Sequence, residues 1–89
     1  MQDSYLEVTF RHGKALAAYY YLPRPAGGTS VRTEPAEAGM LVDYGRDGRP
    51  IRIEITAPSR ASLAALNRVL RSLGQDPARR EDFAPLRAA

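Results

Sequence analysis

Gly39-Met40-Leu41-Val42-Asp43-Tyr44-Gly45-Arg46-Asp47-Gly48-Arg49-Pro50-Ile51-Arg52-Ile53-Glu54-Ile55-Thr56 is the stretch from which the fold is read. Two apolar, β-branched runs flank a short Gly/Asp segment, the pattern of a β-hairpin. Asp47 and Gly48 are residues that tolerate positive φ, as a tight turn between strands requires. Beyond the turn, Ile51, Ile53 and Ile55 alternate with Arg52, Glu54 and Thr56, so one face is apolar and the other wet. A slip of one residue would exchange the two faces, which fixes the register. Pro50, at the start of the second strand, has no N–H to donate, which points to an edge or a bulge there.

The segments before the hairpin continue the strand pattern. Tyr5 to Phe10 alternates, with Leu6, Val8 and Phe10 on one side and Tyr5, Glu7 and Thr9 on the other. Arg11-His12-Gly13-Lys14 reads as a turn. Ala15 to Leu22 follows, and its Tyr19-Tyr20-Tyr21-Leu22 end suits a pleated surface. Pro23 to Gly28 interrupts the ladder. Thr29 to Glu34 reads as a short third strand with Val31 and Thr33 on one side, and Pro35 to Ala38 as a linker into the hairpin.

After Thr56 the period changes from two to near 3.6. Pro58 or Ser59 opens a helix, proline suiting a first turn and serine an N-cap. Leu63, Leu66, Val69, Leu70 and Leu73 form one stripe, and Gly74 suits the position after the helix end. Asp76-Pro77 introduces a short helix near Ala78–Phe83 that Pro85 ends. The expected architecture is therefore one α+β domain: an antiparallel β-meander of four or five strands over residues 1–56, one helix at 57–74 packed on one face, and a short tail helix at 75–89. Leu6, Val8, Phe10, Val31, Met40, Val42, Ile51, Ile53 and Ile55 are the expected inner face, with the leucine stripe as its cover.

Composition narrows function by exclusion. With 89 residues the chain makes one small domain with a thin core. No apolar run reaches the ~18 residues of a membrane span, and Met1-Gln2-Asp3-Ser4 does not resemble a secretory leader. There is no cysteine, so thiolate chemistry and cysteine zinc sites are excluded and a cytoplasmic protein is expected. Seven basic and seven acidic residues cancel up to Thr56, while six arginines face three acids afterwards, so the formal charge of +3 sits at the C-terminal end. That asymmetry keeps nucleic acid open as a partner, but +3 is far from a dedicated nucleic-acid footprint and a solvated helix face explains it better.

The candidate chemical groups have structural explanations. His12, the one histidine, sits in a turn without further ligands, and a metal site needs several. Asp43, Asp47 and Glu54 are the clustered acids. Asp47 is accounted for as a turn residue and Glu54 as an outward strand residue, while Asp43 points outward and toward Arg52 across the ladder. Ser59 and Ser62 lie in no nucleophile elbow, and Gly27-Gly28 belongs to no phosphate loop. No catalytic residue, cofactor or metal is expected. Tyr5, Tyr19, Tyr20, Tyr21 and Tyr44 are more informative. Aromatics interleaved with arginine stack on nucleobases or form protein interfaces, and alternate members can equally be core. Since strands alternate sides, Tyr19 with Tyr21, or else Tyr20, faces outward.

Two segments resemble a known family. Ala17-Ala18-Tyr19-Tyr20-Tyr21-Leu22 and Leu41-Val42-Asp43-Tyr44-Gly45-Arg46-Asp47-Gly48-Arg49-Pro50-Ile51-Arg52-Ile53-Glu54-Ile55 are similar to the motifs of the small prokaryotic family called domain of unknown function 2283. The resemblance covers about Val8 to Ser59. The chain departs from the pattern at Arg11 and Leu16, where the family has acidic residues, and at Gly45 and Arg52. The resemblance implies a β-rich domain without an assigned activity, and an antitoxin role through the toxin-like neighbours of some relatives. The expectation from residues and resemblance together is a non-enzymatic protein-interaction module forming a homodimer. Its interface candidates are Tyr5, Tyr19, Tyr20, Tyr21, Leu41 and Arg52, and its turn residues Asp47 and Gly48. The alternative is an antitoxin-like or nucleic-acid-binding regulator paired with a small toxin.

Overall fold

The computed structural model describes residues 4–23, 29–37 and 39–87. Five antiparallel strands, β1 (Tyr5–Arg11), β2 (Lys14–Tyr21), β3 (Arg32–Pro35), β4 (Met40–Tyr44) and β5 (Pro50–Ile55), form one sheet, followed by α1 (Leu63–Ser72) and α2 (Arg80–Arg87). This is the expected α+β architecture. The sheet order is β1-β2-β5-β4-β3, so the meander is broken once: β2 pairs with β5, and the chain leaves β2 for the far edge. The reason lies in composition. All four residues of β3 are exposed and cannot occupy a central position, whereas Ile51, Ile53 and Ile55 of β5 are all buried there. The linker at 24–28 lies outside the described residues.

The central hairpin closes through residues 45–49. Gly48 N–H bonds to the Gly45 carbonyl at 3.0 Å, Gly45 N–H to the Arg49 carbonyl at 2.8 Å, and Arg49 N–H to Asp47 Oδ1 at 3.0 Å. Gly48 has φ +83°, the left-handed conformation that glycine adopts without a Cβ penalty. The ladder shifts register between Asp43 and Tyr44, opposite Pro50 and Ile51, so the proline falls at an irregularity where a missing donor costs nothing. In the β1–β2 hairpin the two turn residues are His12 (φ +53°) and Gly13 (φ +78°), both left-handed as the twist of a two-residue hairpin requires.

One apolar cluster joins sheet and helices. Ala18, Tyr20 and Leu22 of the β2 segment, Met40 and Val42 of β4, and Ile53 and Ile55 of β5 meet Leu66, Val69 and Leu70 of α1 and Phe83 and Leu86 of α2. Both helices therefore cover the same face of the sheet. Leu6 and Val8 pack against this cluster in a half-buried state, but Phe10 is 48% and Val31 55% exposed, contrary to expectation. Val31 precedes β3, and Phe10 lies beyond the irregularity in the β1–β2 ladder, where the helices do not reach. Ile51 is buried beside the Gly45 turn and outside the main cluster.

The helix boundaries also differ from expectation. Pro58–Arg60 forms a 3-10 turn, and the N-cap of α1 is Ser62, whose Oγ accepts from Ala65 N–H at 3.1 Å. Pro58 suits a first turn, but here that turn precedes the helix rather than opening it. α1 ends as read: Gly74 (φ +72°) follows it, and the Gln75 N–H returns to the Leu70 carbonyl at 2.9 Å. α2 starts two residues later than expected and passes through Pro85. Phe83 and Leu86 are both buried, and their anchoring carries the helix two residues past the proline. Asn67 clamps the connection, its Oδ1 accepting from Ala78 N–H at 2.8 Å and its Nδ2 donating to the Ala78 carbonyl at 3.3 Å.

Candidate interaction surface

With both helices on one face, the other face of the sheet is built only from side chains of alternate strand positions. The registers align them into two rows that cross all five strands. The first row runs Tyr5, Tyr21, Arg52, Asp43, Thr33, and the second Glu7, Tyr19, Glu54, Leu41, Pro35. Strand parity and register alone place these residues together.

The first row holds an aromatic stack at one end and an ion pair with a hydroxyl at the other. The Tyr5 and Tyr21 rings stack with centroids 4.7 Å apart. The Arg52 Nε donates to Asp43 Oδ2 at 2.7 Å, and the Thr33 hydroxyl donates to Asp43 Oδ1. The Arg52 guanidinium also lies 5.9 Å from the centre of the Tyr19 ring. Between rows, the Tyr21 hydroxyl donates to Glu7 Oε1 at 3.1 Å. Burial and that bond to an anion raise the Tyr21 phenol pKa.

Asp43 is the unusual member. It is 1% exposed although no helix covers it, because Arg52, Thr33 and the neighbouring strands enclose it. An anion so placed is tolerated because it accepts from a cation and a hydroxyl at once. Burial, together with a hydrogen bond to the adjacent Asp43 carboxyl, raises the Glu54 pKa. The arrangement sets two carboxyls side by side, with no histidine among the described residues beside them. His12 is at the tip of the β1–β2 hairpin, fully apart from this face. Among the described residues, no group of three or more histidine and acidic side chains is placed to hold a metal ion.

The structure brings together five of the six interface candidates: Tyr5, Tyr19, Tyr21, Leu41 and Arg52. Tyr20 is the exception, contrary to expectation. It is 2% exposed on the opposite face, within the core, where burial raises its phenol pKa and its hydroxyl bonds to Ser4. Tyr5 is 46% exposed, while Tyr19, Tyr21 and Leu41 are half-buried. Thr33 is the member that sequence misses: its alternation with Val31 points it to the inner face, and its partnership with Asp43 depends on the β3–β4 register, which no local pattern encodes. Glu7 lies on the outward side read for it, and only its diagonal bond to Tyr21 depends on the β1–β2 register.

The arginines of the helical part are partly neutralised within the chain. Arg68 makes a two-pronged pair with Glu37 at 2.7 and 2.8 Å, and Arg79 pairs with Asp82 at 3.4 Å. No helix of the described residues is long and apolar enough to cross a membrane. No family model, curated protein or solved structure matches the chain.

Proposed function

We propose that this chain is a non-enzymatic protein-interaction module that associates with itself through its sheet. The observation that carries the reading is the one-sided cover. Two helices bury one face, and the opposite face presents Tyr5, Tyr19, Tyr21 and Leu41 among Arg52, Glu7 and Glu54 with no described element over it. Tyrosine and arginine are enriched where proteins meet, because each combines apolar area with polar reach. The side chains are already fixed by stacking and ion pairing, so docking orders little more than is ordered beforehand. Two-fold pairing of identical copies is the commonest closed arrangement. The cytoplasm is the compartment we assign to it, in keeping with a chain that carries no cysteine.

The regulator alternative, antitoxin-like or nucleic-acid-binding, draws less support, since Arg68 and Arg79 are engaged by acids of the same chain. The test is the thermal midpoint of the full chain at increasing concentration. Association of folded copies raises it with concentration; a midpoint independent of concentration contradicts self-association and moves the sheet face to a heterologous protein partner.

A further inference from the structure

The two edges of the sheet, β1 and β3, are built differently. β3 has four residues, carries Arg32 and Glu34, and ends at Pro35. Short length, charge and proline are the devices that keep an edge strand from recruiting another. β1 has seven residues and no proline. The irregularity in its ladder does not bend it either. Thr9 pairs with Ala17 and Phe10 with Ala15, so the extra residue is Leu16 of β2, and β1 itself stays regular. No described strand lies beyond β1, whose outer side therefore presents a row of backbone donors and acceptors. Its exposed apolar residues, Tyr5 and Phe10, stand near the two ends of that row.

We infer that β1 is the self-association edge, pairing antiparallel with β1 of a second copy about a two-fold axis at Val8 to make one ten-stranded sheet. This rests on the self-association proposed above and places it at the edge of the sheet rather than on the tyrosine face. A two-fold axis perpendicular to the sheet keeps apolar face beside apolar face, so only residues of equal parity can oppose each other. The register centred on Val8 pairs the whole strand. It sets Leu6 opposite Phe10 of the second copy, giving the exposed Phe10 an apolar partner. It sets Tyr5 opposite Arg11, a cation beside an aromatic ring, and Glu7 opposite Thr9. A register centred on Glu7 brings two like carboxylates together, which is unfavourable. One centred on Thr9 leaves Tyr5 and Leu6 unpaired and sets Arg11 opposite a Glu7 that Tyr21 already engages.

The absence of native cysteine makes the register directly measurable. Val8→Cys, Glu7→Cys and Thr9→Cys are prepared as single variants of the full chain, oxidised mildly at equal concentration, and scored for covalent dimer. Self-paired positions lie within disulfide reach. With the axis at Val8, the two copies of residue 7 or 9 are offset by about 7 Å along the strand in addition to the strand spacing, beyond the ~7 Å Cα limit. Val8→Cys is expected to cross-link far faster than either neighbour. Dominant cross-linking by Thr9→Cys or Glu7→Cys overturns the register. If all three variants sediment as dimers without cross-linking, the edge assignment is overturned and the tyrosine face remains as the interface. If the native chain and all three variants sediment as monomers, the self-association reading falls together with this inference.

Discussion

Replacing Arg52 by methionine removes the cation from Asp43 while keeping most of the aliphatic length of the side chain. Asp43 is 1% exposed, and afterwards it keeps the Thr33 hydroxyl and the adjacent Glu54 carboxyl but no cation. Breaking a fully buried pair from one side costs roughly 3–5 kcal/mol, because the remaining charge stays desolvated. Here the Arg52 side chain is 27% exposed, so water enters part of the vacated space and the expected cost falls to about 2–3 kcal/mol. The lost approach of the guanidinium to the Tyr19 ring adds no more than about 0.5 kcal/mol at such a site. A domain of this size has a total stability of roughly 4–13 kcal/mol, so the loss is a large fraction. With a urea slope of about 1 kcal/mol/M, it lowers the unfolding midpoint by about 2–3 M. The double variant Asp43→Asn/Arg52→Met is expected to recover much of the loss, because the orphaned charge is gone. The quantity to determine is the coupling energy of the full four-member cycle. A single Arg52→Met variant with an unchanged midpoint, or strictly additive effects of the two substitutions, would refute the enclosed ion pair.

Other parts of the account are tested independently. Leu70→Ala, at a fully buried position of α1, is expected to cost on the order of 2–5 kcal/mol by calorimetry or denaturant unfolding; retention of the native midpoint would mean that α1 does not dock on the sheet. Gly39→Ala forces a side chain into φ +77° and brings its Cβ within 3.2 Å of the Ala57 Cβ, whereas a side chain at Gly48 meets open space at φ +83°. Gly48→Val is expected to cost more than ~1 kcal/mol through backbone strain alone, and unchanged urea unfolding would contradict the left-handed turn. Glu54 has a raised pKa in the fold, so its ionised form is less favourable there than in the unfolded chain. Glu54→Gln is accordingly expected to raise the thermal midpoint at neutral pH, and the gain to shrink as pH falls through the raised pKa and vanish below the ordinary value of 4.5. A destabilised Glu54→Gln at neutral pH would contradict that assignment.

The fold was legible wherever a local period had one interpretation. Ile51, Ile53 and Ile55 announced a strand buried on one side, and Leu66, Val69 and Leu70 a helix stripe, and both lie in the structure as read. The tyrosine run was legible only as an alternation. Its phase depended on which face the helices chose, and Tyr20 went inward with Ala18 and Leu22. Phe10 stayed exposed because burial depends on how far a cover extends and not on pattern, and Val31 lies before β3 begins. The break in the meander was hidden for a related reason. Strand order follows from which strand can tolerate an edge, and that comparison runs over the whole chain. The sequence opens the helix at Pro58 or Ser59, whereas those residues form a 3-10 turn and the cap falls to Ser62, three residues on. The Asp43–Arg52 pair was visible across the hairpin, because a single turn fixes that register; the Thr33–Asp43 and Tyr21–Glu7 contacts depend on other pairings and were not.

Sedimentation equilibrium of the full, untagged chain at micromolar concentration addresses the proposed self-association most directly. The monomer has a mass of 9.8 kDa. Self-association gives a weight-average mass that rises with concentration toward twice that value. A mass that stays at 9.8 kDa across the whole range would contradict it.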